Sequence, residues 1–523
     1  MPLSFTILSF KGAFEALFFY FAKRFSFLPS LLLFLSFLTP DHYLPYKTFY
    51  QQLFSVAFLF SLFVIYTEED RHVAGSKFYA AICVGCVCIS LAHLFVGLVQ
   101  YFRVMDFGTF VHFSGTGRVV GNLAQANHFA SIAGFSVSAS IYYFFKEKVA
   151  VPIAVTAVFL ISIPIGLAQS RATLVVVSVV LIALALARNS VDRRISMMIL
   201  VSQGTIVLFW FAQPYLSSAL LLDSTLDRAQ QLSQTNVRQS LYKAIVTLIA
   251  DSPKEFLFGG SNLAEILFYD ASHDMTTKFH VDAHNIILNS VVRVGILPTL
   301  VGLGLTLLVG KKIYKGRRNI APEKLLSIVI GLGFLLIHGF FNTTLSFLYC
   351  IIPLGLMILI LSLETTTASV SHISSKSVNL LRMAGIIGMI YCGHLLFVYQ
   401  DLRQAYSQTS ARFSGMSFTS SSIKVPDNRV FQDALSRMNF ESTDGNEALS
   451  PSQLDALVKV VARHSLPEYL NHMASIYASH NQCENAELME SKYKRFWPDR
   501  AEGRLIRKTV ENCANTNRAQ LQR

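Results

Sequence analysis

The chain alternates between long apolar runs and short polar connections. A helix needs roughly 20 apolar residues to cross a bilayer. Eleven runs approach or exceed that length, near residues 25–40, 48–66, 77–102, 127–145, 149–168, 172–187, 195–218, 283–309, 322–339, 344–364 and 383–399. Residues 1–24 are apolar as well, but Lys11, Glu15, Lys23 and Arg24 interrupt them, so they read as an interfacial helix or a further span. Two long polar stretches, 219–282 and 400–523, break the rhythm. The pattern predicts an all-α polytopic membrane protein with 11–12 transmembrane helices. Seven spans lie in 25–218, a long loop in 219–282, four spans in 283–399, and a helical tail in 400–523.

Composition supports the bilayer as solvent. The 523 residues are 52% hydrophobic and 15% charged, against about 25% charged in soluble proteins. The excess of 44 Lys+Arg over 32 Asp+Glu would fit nucleic acid if it formed a patch, but it does not. Alternate connections hold eighteen of these cations: Lys11, Lys23, Arg24, Arg71, Lys77, Lys146, Lys148, Arg188, Arg193, Arg194, Lys311, Lys312, Lys315, Arg317, Arg318, Lys324, Lys376 and Arg382. The other short connections hold four, Lys47, Arg103, Arg118 and Arg171. Cytoplasmic loops collect Lys and Arg, so the first set is cytoplasmic. No nucleic-acid partner is expected, and the loop 219–282 and the tail fall on the outer side. The "CVGCVC" of Cys83, Cys86 and Cys88 lies in an apolar run without polar surroundings, which points to packing rather than a metal. Cys483 and Cys513 in the tail can pair if that tail is extracytoplasmic.

Polar groups gather at four places on the outer face. In "GRVVGNLAQANHFA", Gly115, Gly117 and Gly121 permit tight turns, Arg118 sits among them, and Gln125, Asn127 and His128 open the fourth span. A helix N-terminus beside an arginine suits an anion, or is simply a capped start. In "QSRATL", Arg171 marks a span boundary, where it either snorkels or pairs with an anion such as phosphate. In the long loop, "TNVRQSLYKAIVTLIADSP" has helical periodicity that should end before Pro253, with Arg238 and Tyr242 four apart, and "FGGSN" then marks a turn. Its plain alternative is a surface helix with a solvated basic face. In "FHVDAHNIILNSVVRVGILP", His280 and His284 have metal-ligand spacing but no third ligand, so no metal is expected. Asp282 fits a helix cap. His284, at the mouth of the span, suits a general base or a plain hydrogen bond at the span end.

These stretches occur in the order seen in the O-antigen ligase/polymerase superfamily, and most resemble the bacterial protein O-oligosaccharyltransferases of the PglL type. "PDHYLPYKTFY" after the first span resembles the same branch. So does "LPEYLNHMASIYASHNQCENAELMESKYKRFWP", a TPR-like hairpin with Ala474, Tyr477, Ala486 and Tyr493. Two departures stand out. Arg293 replaces an acidic residue two before the glycine of the "AHN" span. In "HGFFNTTLSFLY", His338 and Leu345 match, while Asn342 and Thr344 replace an acid and a proline.

The resemblance implies a multi-pass protein of the bacterial inner membrane whose site faces the periplasm. It implies a glycosyltransferase that moves a glycan from a polyprenyl-pyrophosphate donor to a Ser or Thr hydroxyl of an exported, pilin-like protein. The reaction would invert the anomeric centre and need neither metal nor cofactor. Arg171 and Arg238, with Arg118, would neutralise the departing pyrophosphate, and His284 would act as base. Gln125, Asn127, His128, Tyr242 and Asn285 would hold donor or sugar. Lipid A core (an O-antigen ligase) or another glycan (a polymerase) is the alternative acceptor. A transporter or flippase is the competing class; it predicts ionisable residues deep inside spans and paired broken helices.

Overall fold

A computed structural model describes residues 28–38, 49–66, 71–102, 118–123, 125–219, 242, 245–246, 253–259, 285–341, 348–365, 380, 383–399, 432–443, 449–464, 467–496 and 503–521. Among them all regular structure is helical. The helices are α1 (Leu28–Leu38), α2 (Phe49–Tyr66), α3 (Arg71–Phe102), α4 (Ala126–Lys146), α5 (Val151–Leu167), α6 (Arg171–Ala187), α7 (Arg193–Ala219), α8 (Pro253–Phe258) and α9 (Ile286–Val294). They continue with α10 (Ile296–Gly316), α11 (Pro322–Phe341), α12 (Leu348–Thr365) and α13 (Met383–Tyr399). The tail holds α14 (Gln432–Ser442), α15 (Pro451–His464), α16 (Pro467–Ser479), α17 (Cys483–Phe496) and α18 (Gly503–Leu521).

Four stretches are long and apolar enough to cross a membrane: Phe78–Phe102, Arg193–Ser217, Ile296–Asn319 and Pro322–Phe341. Shorter apolar helices cover Gln51–Leu62, Val151–Leu167, Arg171–Ala187, Cys350–Ser362 and Met383–Tyr399. Polarity is distributed inside out. Leu186, Leu307 and Phe397 are 84%, 73% and 71% exposed, while Ser131, Ser140, Ser162, Thr173 and Gln213 are fully buried. Exposed apolar surface on this scale suits lipid rather than water.

The chain divides into two compact units, Met1–Asp227 with Leu305–Phe397, and Arg228–Gly304 with Val398–Arg523. In the first, hydroxyls join the helices. Ser138 Oγ donates to the Ser327 carbonyl, and Ser327 Oγ donates back to that of Ser138 at 2.8 Å. Ser131 Oγ donates to the Phe334 carbonyl at 3.2 Å, so α4 and α11 are tied along their length. Ser162 and Ser202 join α5 to α7 at 2.9 Å. Between helices without a hydrophobic drive in lipid, small residues and such bonds supply the attachment.

In the second unit α16 and α17 form a hairpin, turned at Asn481 (φ 57). Ala474, Tyr477, Ala486 and Tyr493 are buried in its core. Ile506 and Val510 of α18 join them. Arg437 Nε donates to Tyr469 Oη at 3.2 Å, and the Tyr469 hydroxyl donates to Glu441. Cys483 and Cys513 form a disulfide with a sequence separation of 30, fastening the start of α17 to α18. Closing a loop of that size stabilises by about 3–4 kcal/mol through the unfolded chain. Cys483→Ser should therefore lower the melting temperature of the tail and speed its proteolysis, and dithiothreitol should reproduce both effects on the unsubstituted protein.

One expected span is not a single helix. Residues 283–309 divide at Gly295 (φ 87), which ends α9 before α10 begins. A Cβ on Gly295 would lie 2.3 Å from the Leu257 carbonyl oxygen, so the C-terminal end of α8 sits directly against the break. Gly259 (φ 68) faces it; a Cβ there would meet the Gly295 nitrogen at 2.4 Å. Glycine alone fits both conformation and contact. Gly295→Ala is expected to cost about 1–3 kcal/mol locally, read as faster limited proteolysis at residues 253–259.

Candidate functional site

The opening motif is held by amides from within the apolar helices. Residues 118–120 lead into a single 3-10 turn, Gly121–Leu123, ahead of α4, and irregular backbone of this kind must be satisfied inside the protein. Gln100, near the end of α3, does most of this. Its Oε1 accepts from the amides of Val120 (3.2 Å) and Gly121 (2.9 Å), and its Nε2 donates to the Gly121 carbonyl at 2.8 Å. Gln51 Nε2 of α2 donates to the Asn122 carbonyl at 2.9 Å. Gly121 sits at φ 57 with Phe129 packed on it; a Cβ would fall 2.4 Å from that ring. Gln125 is the N-cap residue of α4, with extended backbone. Asn127 is half-buried and His128 buried in its first turn.

Arg118 is built into the neighbouring turn. Its Nε donates to the Ala168 carbonyl at 2.8 Å and its Nη2 to that of Gln169 at 3.0 Å, both at the C-terminal end of α5. A cation there answers the helix's unpaired carbonyls. The connection from α5 to α6 is then fixed at almost every polar group. Gln169 stands at φ 49, a conformation that side chains other than glycine rarely adopt. Trp210 Nε1 of α7 donates to the Ser170 carbonyl at 3.2 Å. The Ser170 and Thr173 hydroxyls meet His338 Nε2 of α11 at 3.2 and 3.3 Å. His338 Nδ1 lies 2.8 Å from the Phe334 carbonyl. A carbonyl only accepts, so Nδ1 carries the proton; in the neutral ring Nε2 accepts from the two hydroxyls. Ser170, Thr173 and His338 are each 0% exposed.

Arg171 leaves this turn as the first residue of α6 and is exposed. It therefore does not enter the bundle, and its guanidinium is available at the surface of a rigid corner. Charged groups of the opposite kind of connection gather at the other end of the same helices. Lys324, at the start of α11, pairs with Glu364 and lies 5.1 Å from the Tyr79 ring. The Asp192 amide donates to Glu323 Oε1 at 3.2 Å. Within this unit the motif corner and the basic connections thus sit at opposite ends of α4, α6 and α11.

In the other unit Asn285 is an N-cap. Its Oδ1 accepts from the amides of Ile287 (2.9 Å) and Leu288 (3.1 Å), opening α9. Asp282 was the expected cap; Asn285 takes that role because the helix starts three residues later, at Ile286. Tyr242 is half-buried. His280, Asp282, His284, Arg228, Arg238 and the glycines at 115 and 117 lie outside the described residues. The periodic stretch ahead of Pro253 is described only in fragments, and α8 begins at Pro253 itself. Arg118, Arg171, Gln125, Asn127 and His128 share the first unit, whereas Asn285 and Tyr242 belong to the second. Among the described residues no group of three metal-ligating side chains occurs.

Arg118 and Arg171 stand out in the sequence, whereas Gln51, Gln100 and Trp210, which bond the backbone of residues near them, do not, nor does a role for His338. The available signal was polarity inside apolar runs, since an amide or imidazole in a span needs a partner. No family model, curated protein or solved structure matches this chain.

Proposed function

We propose that this protein is a glycosyltransferase of the O-antigen ligase/polymerase superfamily, acting as a protein O-oligosaccharyltransferase. The observation that carries the reading is the α5–α6 corner. There, Arg171 follows a turn fixed by Arg118, Trp210 and His338, and it remains exposed at a helix N-terminus. Such a corner suits a pyrophosphate at the lip of a lipid-facing bundle. In this reading eleven spans, or twelve with residues 1–24, cross the bacterial inner membrane, and 219–282 and 400–523 are periplasmic. The Cys483–Cys513 disulfide supports that side, because such bonds persist in oxidising compartments.

The donor is a polyprenyl-pyrophosphate-linked glycan whose lipid lies among membrane lipids against the apolar helices. The acceptor Ser or Thr oxygen attacks the anomeric carbon, and the bond from that carbon to the phosphate oxygen breaks. The electron pair leaves with the pyrophosphate, whose growing charge Arg171 and Arg238 stabilise, while Arg118 holds the α5–α6 turn. His284 takes the hydroxyl proton. Direct displacement inverts the anomeric centre. The activated leaving group is already present, so the scheme uses no metal or cofactor.

Two acceptors offered separately to the purified protein with lipid-linked oligosaccharide test the assignment. Glycan on Ser or Thr of a pilin-like exported protein is the expected result. Glycan on lipid A core alone identifies a ligase, and longer lipid-linked chains alone identify a polymerase.

A further inference from the structure

His338 is an ionisable side chain near the end of an apolar helix, fully buried and therefore unable to touch a substrate directly. Its Nε2 nevertheless bonds the residues on either side of Arg171. Nδ1 is fixed by the Phe334 carbonyl one turn earlier in α11. That leaves Nε2 facing Ser170, immediately before Arg171, and Thr173, two residues after it. The Phe334 ring lies nearly parallel to the imidazole, 6.2 Å between centroids. Trp210 and Arg118 secure the carbonyls of Ser170, Gln169 and Ala168. Gln169 at φ 49 is the kind of strained residue that persists only when its surroundings over-determine it. The side-chain hydroxyls at the start of α6 therefore depend on one group from another helix, and that group is His338.

We propose that His338 is a positioning residue for donor recognition: it sets the direction in which Arg171 leaves the α5–α6 corner, and so the placement of its guanidinium on the pyrophosphate. This rests on the glycosyltransferase reading above. It gives a role to a residue that the sequence marks only as a match in "HGFFNTTLSFLY", with no function attached. Misplacing a group by about 1 Å through a distant substitution costs up to about 10²-fold in rate.

The test is a double-mutant cycle on the full-length purified protein, measuring kcat and KM for a lipid-linked oligosaccharide. Arg171→Ala should lower kcat/KM by about 10²–10³-fold, and His338→Leu by roughly 10–100-fold. The double variant should match Arg171→Ala to within about threefold, because groups acting as a unit are non-additive. His338→Gln places an acceptor near the position of Nε2 and should recover most of the loss. Ser170→Ala combined with Thr173→Val leaves the imidazole in place, removes both hydroxyls, and should reproduce the His338→Leu defect. This pair also serves if His338→Leu does not yield a folded protein.

Multiplication of the two losses in the double variant would overturn the proposal, as would full activity in both His338→Leu and the Ser170/Thr173 pair. In either case the wild type still transfers glycan, and the glycosyltransferase reading survives. If the wild type transfers no glycan to any acceptor, that reading falls and this proposal with it.

Discussion

His284→Ala should lower glycan transfer by roughly 10²–10⁴-fold, the range a positioned general base contributes, while the protein still inserts and elutes as a single species. The reason is chemical. A Ser or Thr hydroxyl is a weak nucleophile until its proton has somewhere to go, and a neutral imidazole can accept it. His284 directly precedes Asn285, whose side chain caps α9 through the amides of Ile287 and Leu288. The backbone just after His284 is thus anchored to a helix start. Gly295 ends that helix after nine residues against the backbone of Leu257. Transfer kinetics of His284→Ala on a pilin-like acceptor check the prediction; turnover at the wild-type rate would remove His284 as the base.

Arg171→Ala should reduce kcat/KM by about 10²–10³-fold, the usual consequence of removing one group that stabilises developing charge. Arg171→Lys should recover only part of this, since an ammonium is a point charge and cannot offer the planar, two-pronged donor set that grips a phosphate. The surroundings make the difference measurable. Arg118 is already committed to the Ala168 and Gln169 carbonyls, so it holds the turn and is poorly placed to substitute for Arg171. Steady-state kinetics with the donor varied separate the cases. Wild-type kcat/KM in Arg171→Ala would show that the corner does not meet the pyrophosphate.

Much of the fold can be read from apolar run lengths. The boundaries of α2, α4, α5, α6, α7 and α11 lie close to those the hydrophobic pattern predicts, because the ends of an apolar run are written locally in the sequence and need no tertiary information. The break at Gly295 escaped that reading. An isolated glycine in an apolar run ends a helix only when something presses on it, and here the Leu257 carbonyl comes from a segment some 40 residues earlier. Distance along the chain hides the site in the same way. Arg171 is visible as a charge at a span boundary, but Trp210 and His338, 40 and 168 residues from Ser170, become its supports only once α6, α7 and α11 are packed. Gln100 and Gln51 were legible only as polar residues in the wrong solvent. Asp282 and Asn285 both suit an N-cap, and sequence alone does not fix which residue starts the helix; Asn285 caps α9.

Buried His93 and His338 and the broken helix at Gly295 are features a transporter would also use. A transporter moves its lipid-linked cargo unchanged, whereas a transferase breaks the bond between the anomeric carbon and the phosphate. The decisive measurement is therefore the fate of that bond. Purified protein is incubated with lipid-linked oligosaccharide and a pilin-like acceptor, with EDTA present, and the lipid and protein fractions are quantified by mass spectrometry. Free polyprenyl pyrophosphate in equal amount to glycan on Ser or Thr, unaffected by the chelator, is the expected result. Donor recovered intact, with no glycan on any acceptor, would contradict the glycosyltransferase reading.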